Sequence, residues 1–325
     1  MTFEVLDPGL QTTVQDLGRR GHLALGVPLS GALDATSLRL ANLLVDNGEG
    51  AAALECRSPG PVLRVSAPSA RIALAGTAAP LIVERGGDVV EWPSWRSVDL
   101  VEGDIVRVAP FADTAVAYLA IAGGVAVPEV LGSRSTFLRG GFGGLRGRAL
   151  KAGDALSARD RERAGPCLTL IQPPLIDEFP TLRMVKGPQA PMFGESALIE
   201  LVRESYTVTR DLDRMGARLS GPELVRKESG EMLSDGTVPG ALQVPPSGQP
   251  ILLLADCQTT GGYPKIATVI SADVPAAGRL MAGSRVRFAW VEVEEAVDAL
   301  GEAERLFHRR VGMIATVREG TRFSC

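Results

Sequence analysis

Histidine is nearly absent from this chain: His22 and His308 are the only imidazoles in 325 residues, and the four cysteines, Cys56, Cys167, Cys257 and Cys325, stand without paired spacing. That scarcity argues against a zinc or haem site, which needs several such ligands at fixed intervals. Unpaired spacing also reads as free thiols, which suit a reducing cytoplasm. The N-terminal MTFEVLDPGL lacks the basic start and apolar core of a signal peptide, so secretion is not expected. Long hydrophobic runs are missing too: the longest, Ala115 to Pro128, is broken by Gly123 and Gly124 and falls short of the ~20 residues that cross a bilayer. A net charge of −4 with 22% charged residues supplies no field that would gather nucleic acid or an anionic membrane.

What is abundant is turn chemistry. With 37 glycines, 22 prolines and many short β-branched runs, the sequence predicts a mainly β fold of barrels or sandwiches with a few helices. Its length predicts two domains, divided near Leu182 into 1–181 and 182–325. Strands are expected over 3–6, 12–14, 71–75, 81–84 and 105–108, and helices over 35–45, 196–204 and 292–310. Asp34 caps the first helix, which is apolar except for a stripe of Arg39, Asn42 and Asp46. That stripe either faces water, as base rates favour, or lines a cleft where Arg39 and Asn42 would bind a carboxylate or amide. Beyond Trp290 the apolar alternation changes phase, predicting a bulge or a change of sheet. Segment 131–154 sets Arg134, Arg139, Arg146 and Arg148 among glycines, which suits either an anion clamp or a mobile surface lid. Asp211–Gly221 matches Asp16–Gly26 in Asp-Leu, Arg and Gly positions at an offset of 195 residues, and the Glu102 and Ala282 turns share a Gly followed by a Val-Arg strand. These matches predict two related folds in tandem, with Asp16–Gly26 superimposing on Asp211–Gly221.

The richest stretch is DCQTTGGYPKIATVISAD, Asp256 to Asp273, held between the apolar runs 251–254 and 266–270. Gln258, Thr259, Thr260, Tyr263 and Lys265 crowd an amide, two hydroxyls, a phenol and an ammonium around Gly261-Gly262, where a missing Cβ permits unusual backbone angles or close approach. A phosphate loop is not intended, because Lys265 follows Pro264 and opens a β-branched run and not a helix. Cys257 reads as packing.

Taken with PGLQTTVQDLGRRGHLALGVPLSGALD, LRLANLL, LGSRST, DRMGARLSG and LSDGTVPGALQVPPSGQPILLLAD, the stretch QTTGGYPKIATVI resembles the biotin-dependent carboxyltransferase family over residues 3–297. That family includes the C-type subunit of bacterial 5-oxoprolinase, the second subunit of allophanate hydrolase and part of the carboxyltransferase domain of urea carboxylase. The resemblance implies two tandem cyclophilin-like β-barrel domains. It also implies a related family subunit of the B type as partner and, in the oxoprolinase, a third, lactam-utilisation subunit. ATP would be used by the complex. Biotin, if used, would arrive on a separate carrier, since no Met-Lys pair of the kind that accepts biotin is present.

Three activities fit that resemblance. One is ATP-dependent opening of the 5-oxoproline lactam: Thr259, Thr260 and loop N–H groups would stabilise the oxyanion, while Lys265 or Tyr263 moves protons. Arg39 or Arg214 would hold the substrate carboxylate, with Asp213 orienting a cation. The second is carboxyl transfer from carboxybiotin to urea or a related amide in the same pocket. The third is a non-catalytic partner of a kinase-inhibitor-like protein, which would not need Lys265. The site is expected to gather Lys265, Tyr263, Gln258 and Thr259 in one cleft with Asp213, Arg214 and Gln243.

Overall fold

The structure is a computed structural model that describes residues 2–159, 165–227 and 232–317. These fall into two compact units, one drawn from Met1–Arg19, Ser30–Ile176 and Phe307–Cys325, the other from Arg20–Leu29 and Asp177–Leu306.

In the first unit two antiparallel sheets share one core. The six-stranded sheet runs Ala155–Leu156, Phe3–Asp7, Val62–Val65, Ile105–Val108, Leu81–Arg85, Asp88–Trp92. The five-stranded sheet runs Gln11–Gln15, Ala53–Arg57, Ala117–Ile121, Ser69–Ala75, Ser97–Val101. Phe3, Val5 and Leu63 from one meet Leu54, Ile72 and Leu119 from the other. Strand Ala117–Ile121 is buried at every position because helix α1 (Ala35–Leu44) covers its second face, so it reads as an unbroken apolar run rather than an alternation.

Asp34 caps α1 as expected, its carboxylate accepting from the Ser37 N–H at 3.1 Å and the Ser37 hydroxyl at 2.7 Å. The polar stripe on α1 is neither a solvated face nor a cleft. Asn42 is fully buried and donates to the carbonyls of Glu49 (3.1 Å) and Ala51 (2.8 Å) while accepting from the Asn47 amide (3.1 Å), which ties the helix to the loop that follows it. Arg39 pairs with Glu49 at 2.7 Å and lies 3.6 Å from the Phe307 ring centroid. Asp46 alone of the three is exposed.

Nor is the Gly-Arg segment a lid. The buried Asp16 carboxylate accepts from the hydroxyls of Ser133 and Ser135 and the N–H of Arg134, each at 2.6 Å. Gly143, at φ +72°, sits so close to the chain that a Cβ would lie 2.0 Å from the Ser135 carbonyl oxygen. Arg148 is held by Asp154 at 2.7 Å and Arg134 by Glu129 at 3.0 Å, so these two guanidinia are neutralised internally.

A closed seven-stranded barrel makes up the second unit, in the order Thr181–Lys186, Lys265–Val269, Ala241–Gln243, Ile251–Leu253, Gly216–Ser220, Tyr206–Leu212, Arg285–Trp290. Parallel pairing of Thr181–Lys186 with Arg285–Trp290 closes it. Helix α2 (Glu195–Arg203) packs on strand Arg285–Trp290, and the Trp290 indole N–H donates to the Leu198 carbonyl at 3.2 Å. Short α3 (Val274–Gly278) follows strand Lys265–Val269, and α4 (Val293–Val311) ends the helical set. The phase change after Trp290 is therefore a passage from strand to helix, not a bulge or change of sheet: a period-two and a period-3.6 pattern meet there.

After α4, Ile314–Thr316 pairs antiparallel with Leu168–Leu170. Cys167, just before that strand, is disulfide-bonded, whereas Cys56 and Cys257 are free and buried. The expectation of free thiols throughout is thus corrected. Spacing along the chain does not report distances that folding creates.

One repeat match holds locally and the other does not. Gly103 and Gly283 both have φ +90°. The N–H groups of Gly103 and Val65 bond to the carbonyls of Val65 and Asp104 at 2.9 Å each, and those of Gly283 and Val208 bond to Val208 and Ser284 at 2.8 and 2.9 Å. By contrast Asp16–Gly26 is a loop ending in a short 3-10 turn, while Asp211–Gly221 is strand, turn and strand. The 195-residue offset therefore pairs segments of different structure. The chain is mainly β with few helices, and among the described residues no helix is long and apolar enough to cross a membrane.

Candidate functional site

The central loop leaves the barrel after Leu253 and re-enters at Lys265. Its first part is anchored by Arg214, whose guanidinium meets the Asp256 carboxylate through Nε at 2.9 Å and Nη2 at 3.2 Å, both side chains buried. Backbone bonds from Leu254 N to Met215 O (2.9 Å) and Asp256 N to Arg214 O (2.8 Å) complete the latch. The second part forms a two-stranded ribbon, Thr260–Gly261 against Asp235–Gly236. The N–H of Thr237 donates to the Thr259 carbonyl at 3.0 Å, and its hydroxyl donates to that of Gln258.

Strand register then brings the polar groups together. Gln243 pairs with Lys265 in the barrel. The buried Gln243 amide donates to the Tyr263 carbonyl at 3.4 Å and accepts from Gln258 Nε2 at 3.2 Å. Gly261 is needed here because a Cβ would come within 2.6 Å of Gln243 Nε2; the close neighbour is a side chain of the protein itself. Its φ is not positive, so clearance and not backbone angle is what the glycine provides.

Lys265 is buried, with 5% of its side chain exposed, and its ammonium donates to Asp235 Oδ2 at 2.6 Å and to the Gly236 carbonyl at 2.8 Å. Gln189 completes the arrangement: its Oε1 accepts from Lys265 N and its Nε2 donates to Asp235 Oδ2, each at 3.2 Å. The turn carrying Gln189 can lie against Lys265 because residue 187 is glycine; a Cβ there would sit 2.3 Å from the Lys265 carbonyl oxygen. The Lys265 ammonium, with help from the Gly236 N–H and Gln189, holds the Asp235 carboxyl below the usual carboxylate range. Tyr263 projects outward with 43% exposure. The hydroxyls of Thr259 and Thr260 make no hydrogen bond among the described residues, which leaves them open to a ligand.

The structure therefore brings Lys265, Gln243, Gln258, Thr259, Thr260 and Tyr263 together, and it does not join Asp213, Arg214, Arg39 or Asn42 to them. Gly216 pairs with Leu253, whereas Gln243 pairs with Ile251 and Lys265, so the Asp213-Arg214 turn and Lys265 lie at opposite ends of the barrel strands. Asp213 is an exposed turn former whose carboxylate accepts from the N–H groups of Met215 (2.7 Å) and Gly216 (3.2 Å); the carboxylate facing Arg214 is Asp256. Arg39 and Asn42 belong to the first unit and have the structural partners given above. Asp235 and Gln189 are the residues that sequence reasoning missed. Asp235-Gly236 reads as turn chemistry, but a lysine that opens a buried strand needs a counter-charge, and that need was the available signal.

The family model for the carboxyltransferase domain, subdomain A and B, matches residues 25–290. The chain is 37% identical to the C-type subunit of 5-oxoprolinase from Escherichia coli over 94% of its own length and 97% of that protein's. Among solved structures it is similar to TTHA0988, at 39% identity and TM-score 0.79, covering 89% of this chain but only 55% of that one. It is also similar to the urea carboxylase of Kluyveromyces lactis, at 28% identity and TM-score 0.87, covering 98% of this chain and 30% of that one. A match across most of the chain, together with the β architecture and central loop described above, places it: the chain belongs to the carboxyltransferase domain family, subdomain A and B.

Proposed function

We propose that this chain is a subunit of a cytoplasmic, ATP-consuming hetero-oligomer that opens the lactam of 5-oxoproline to glutamate. The observation that carries the reading is near end-to-end similarity to a 5-oxoprolinase subunit, where the aligned region spans 97% of the relative. The site's chemistry is compatible. A planar amide needs donors for its carbonyl and acceptors for its N–H, and the loop offers the Thr259 and Thr260 hydroxyls beside the Lys265–Asp235 pair. Tyr263, half-exposed at the same place, is the group free to move a proton. ATP is used by the complex, and no biotin is required.

The test is 5-oxoproline-dependent ATP hydrolysis by the purified chain, alone and mixed with a related family subunit and a lactam-utilisation subunit. Turnover only in the mixture is the expected result, and full turnover by the chain alone would sink the subunit reading. A second reading, carboxyl transfer to urea or a related amide with biotin on another chain, is favoured by the fold match to K. lactis urea carboxylase. Activity that appears only with a biotinylated carrier would select it.

A further inference from the structure

Resting on that reading, we propose that Asp235 is the specificity-determining residue that recognises the N–H of the substrate's planar amide, and that Lys265 positions it. Lys265 has been the natural candidate for direct contact, yet its ammonium is sealed, with 5% exposure and two of its three N–H donors committed to Asp235 and Gly236. Asp235 is the opposite case: its side chain is 52% exposed, and three protein groups fix its orientation. Oδ2 accepts from Lys265 and Gln189, whereas Oδ1 accepts, among the described residues, from the N–H of Gly236 alone, at 2.7 Å. A carboxylate oxygen has two lone-pair sites, so Oδ1 keeps one acceptor position.

The Lys265 ammonium already balances the charge of the Asp235 carboxylate, so the remaining Oδ1 position suits a neutral N–H donor and not a second cation. Lactams with a free ring N–H and ureas have that group; lactones and N,N-disubstituted amides do not. The ribbon also gives the ligand an apolar border. Asp235 pairs with Gly261, and two residues further out on each strand stand Leu233 (90% exposed) and Tyr263 (43% exposed). A small ring could lie against these with its N–H on Oδ1 and its carbonyl toward the threonine hydroxyls.

The experiment uses the reconstituted complex and measures kcat, KM and thermal midpoint for the wild type, Asp235→Asn, Lys265→Met and Lys265→Arg. Replacing a charged acceptor by an amide is expected to raise KM for 5-oxoproline about 10- to 100-fold; it also takes the counter-charge from the buried Lys265 ammonium, so the midpoint should fall and KM is read well below it. Lys265→Met should raise KM similarly and Lys265→Arg should recover part of it, which a merely structural lysine would not do. The wild type should bind the lactone analogue of 5-oxoproline at least about tenfold more weakly than the lactam. A KM within twofold of wild type in Asp235→Asn, a loss confined to kcat, or equal binding of lactone and lactam would each overturn the inference. A wild-type complex that turns over urea and not 5-oxoproline would refute the lactam reading while the same variants, read with urea, still judge Asp235. Inactivity on both amides would remove the inference together with the reading.

Discussion

The Arg214–Asp256 pair anchors the base of the central loop, and its strength can be measured directly. Each side chain is 4% accessible, and the two contacts at 2.9 and 3.2 Å make the pair bidentate. Removing one partner of such a buried, bidentate pair costs about 3–5 kcal/mol. For a unit of this size, at about 2–4 °C per kcal/mol, Arg214→Met or Asp256→Leu should lower the melting point by about 6–20 °C. The Arg214→Met/Asp256→Leu double variant should be less destabilised than either single one, because it buries no charge while the Asp256 N–H to Arg214 carbonyl bond survives. Differential scanning calorimetry is the assay, since a chain of two units need not unfold in one step. A double variant that loses the sum of the two single losses would refute the coupling. Single losses below about 1 kcal/mol would show that the pair is not desolvated as described.

Other outcomes follow from local geometry. Asn42→Ala strips two half-buried carbonyls and the buried Asn47 amide of a partner and is expected to cost about 1–3 kcal/mol, read by denaturant unfolding, with a loss below about 0.5 kcal/mol counting against the network. Burial pushes the thiols of Cys56 and Cys257 up to about 12, so neither should react with iodoacetamide at about pH 8 until the chain is unfolded, as mass spectrometry of the native protein would check. The Arg148 guanidinium lowers the Asp154 pKa. Its stabilisation is therefore present above the unfolded pKa and lost as pH falls through the folded one; Asp154→Asn should lower stability at neutral and alkaline pH, leave it little changed at the acid limit, and so flatten the acid side of the stability–pH curve. Gly143→Ala, which combines φ +72° with a Cβ 2.0 Å from a carbonyl oxygen, should lower the thermal midpoint, whereas Gly153→Ala, with nothing within 4 Å, should suffer only backbone strain.

Periodicity made the local elements legible. Ala35–Leu44 with its Asp34 cap, the alternating Ile105–Val108 and the amphipathic Val293–Val311 all announce themselves in the residues that form them. The central loop was legible because its residue types are too diverse for a turn. What stayed hidden depends on partners distant in sequence. Asn42 looks like a surface amide until Ala51 returns to meet it, and Arg39 looks like a substrate clamp until Glu49 and Phe307 arrive. Asp213 and Asp256 are 43 positions apart and equally acidic; which one faces Arg214 is decided by the pairing of Gly216 with Leu253, which no local pattern encodes.

Phe307 and the strand Ile314–Thr316 come from the far end of the chain, yet they belong with the first unit. For anyone dividing the protein, this means that a cut near residue 181 does not release a self-sufficient N-terminal piece. Such a fragment would leave Arg39 without the ring beneath it and Leu168–Leu170 without a neighbouring strand, so it would expose an unpaired edge ready to bind other chains. A workable version would instead carry residues 307–317 grafted on behind residue 176, a chain order that the genetic message does not offer but a redesigned one could.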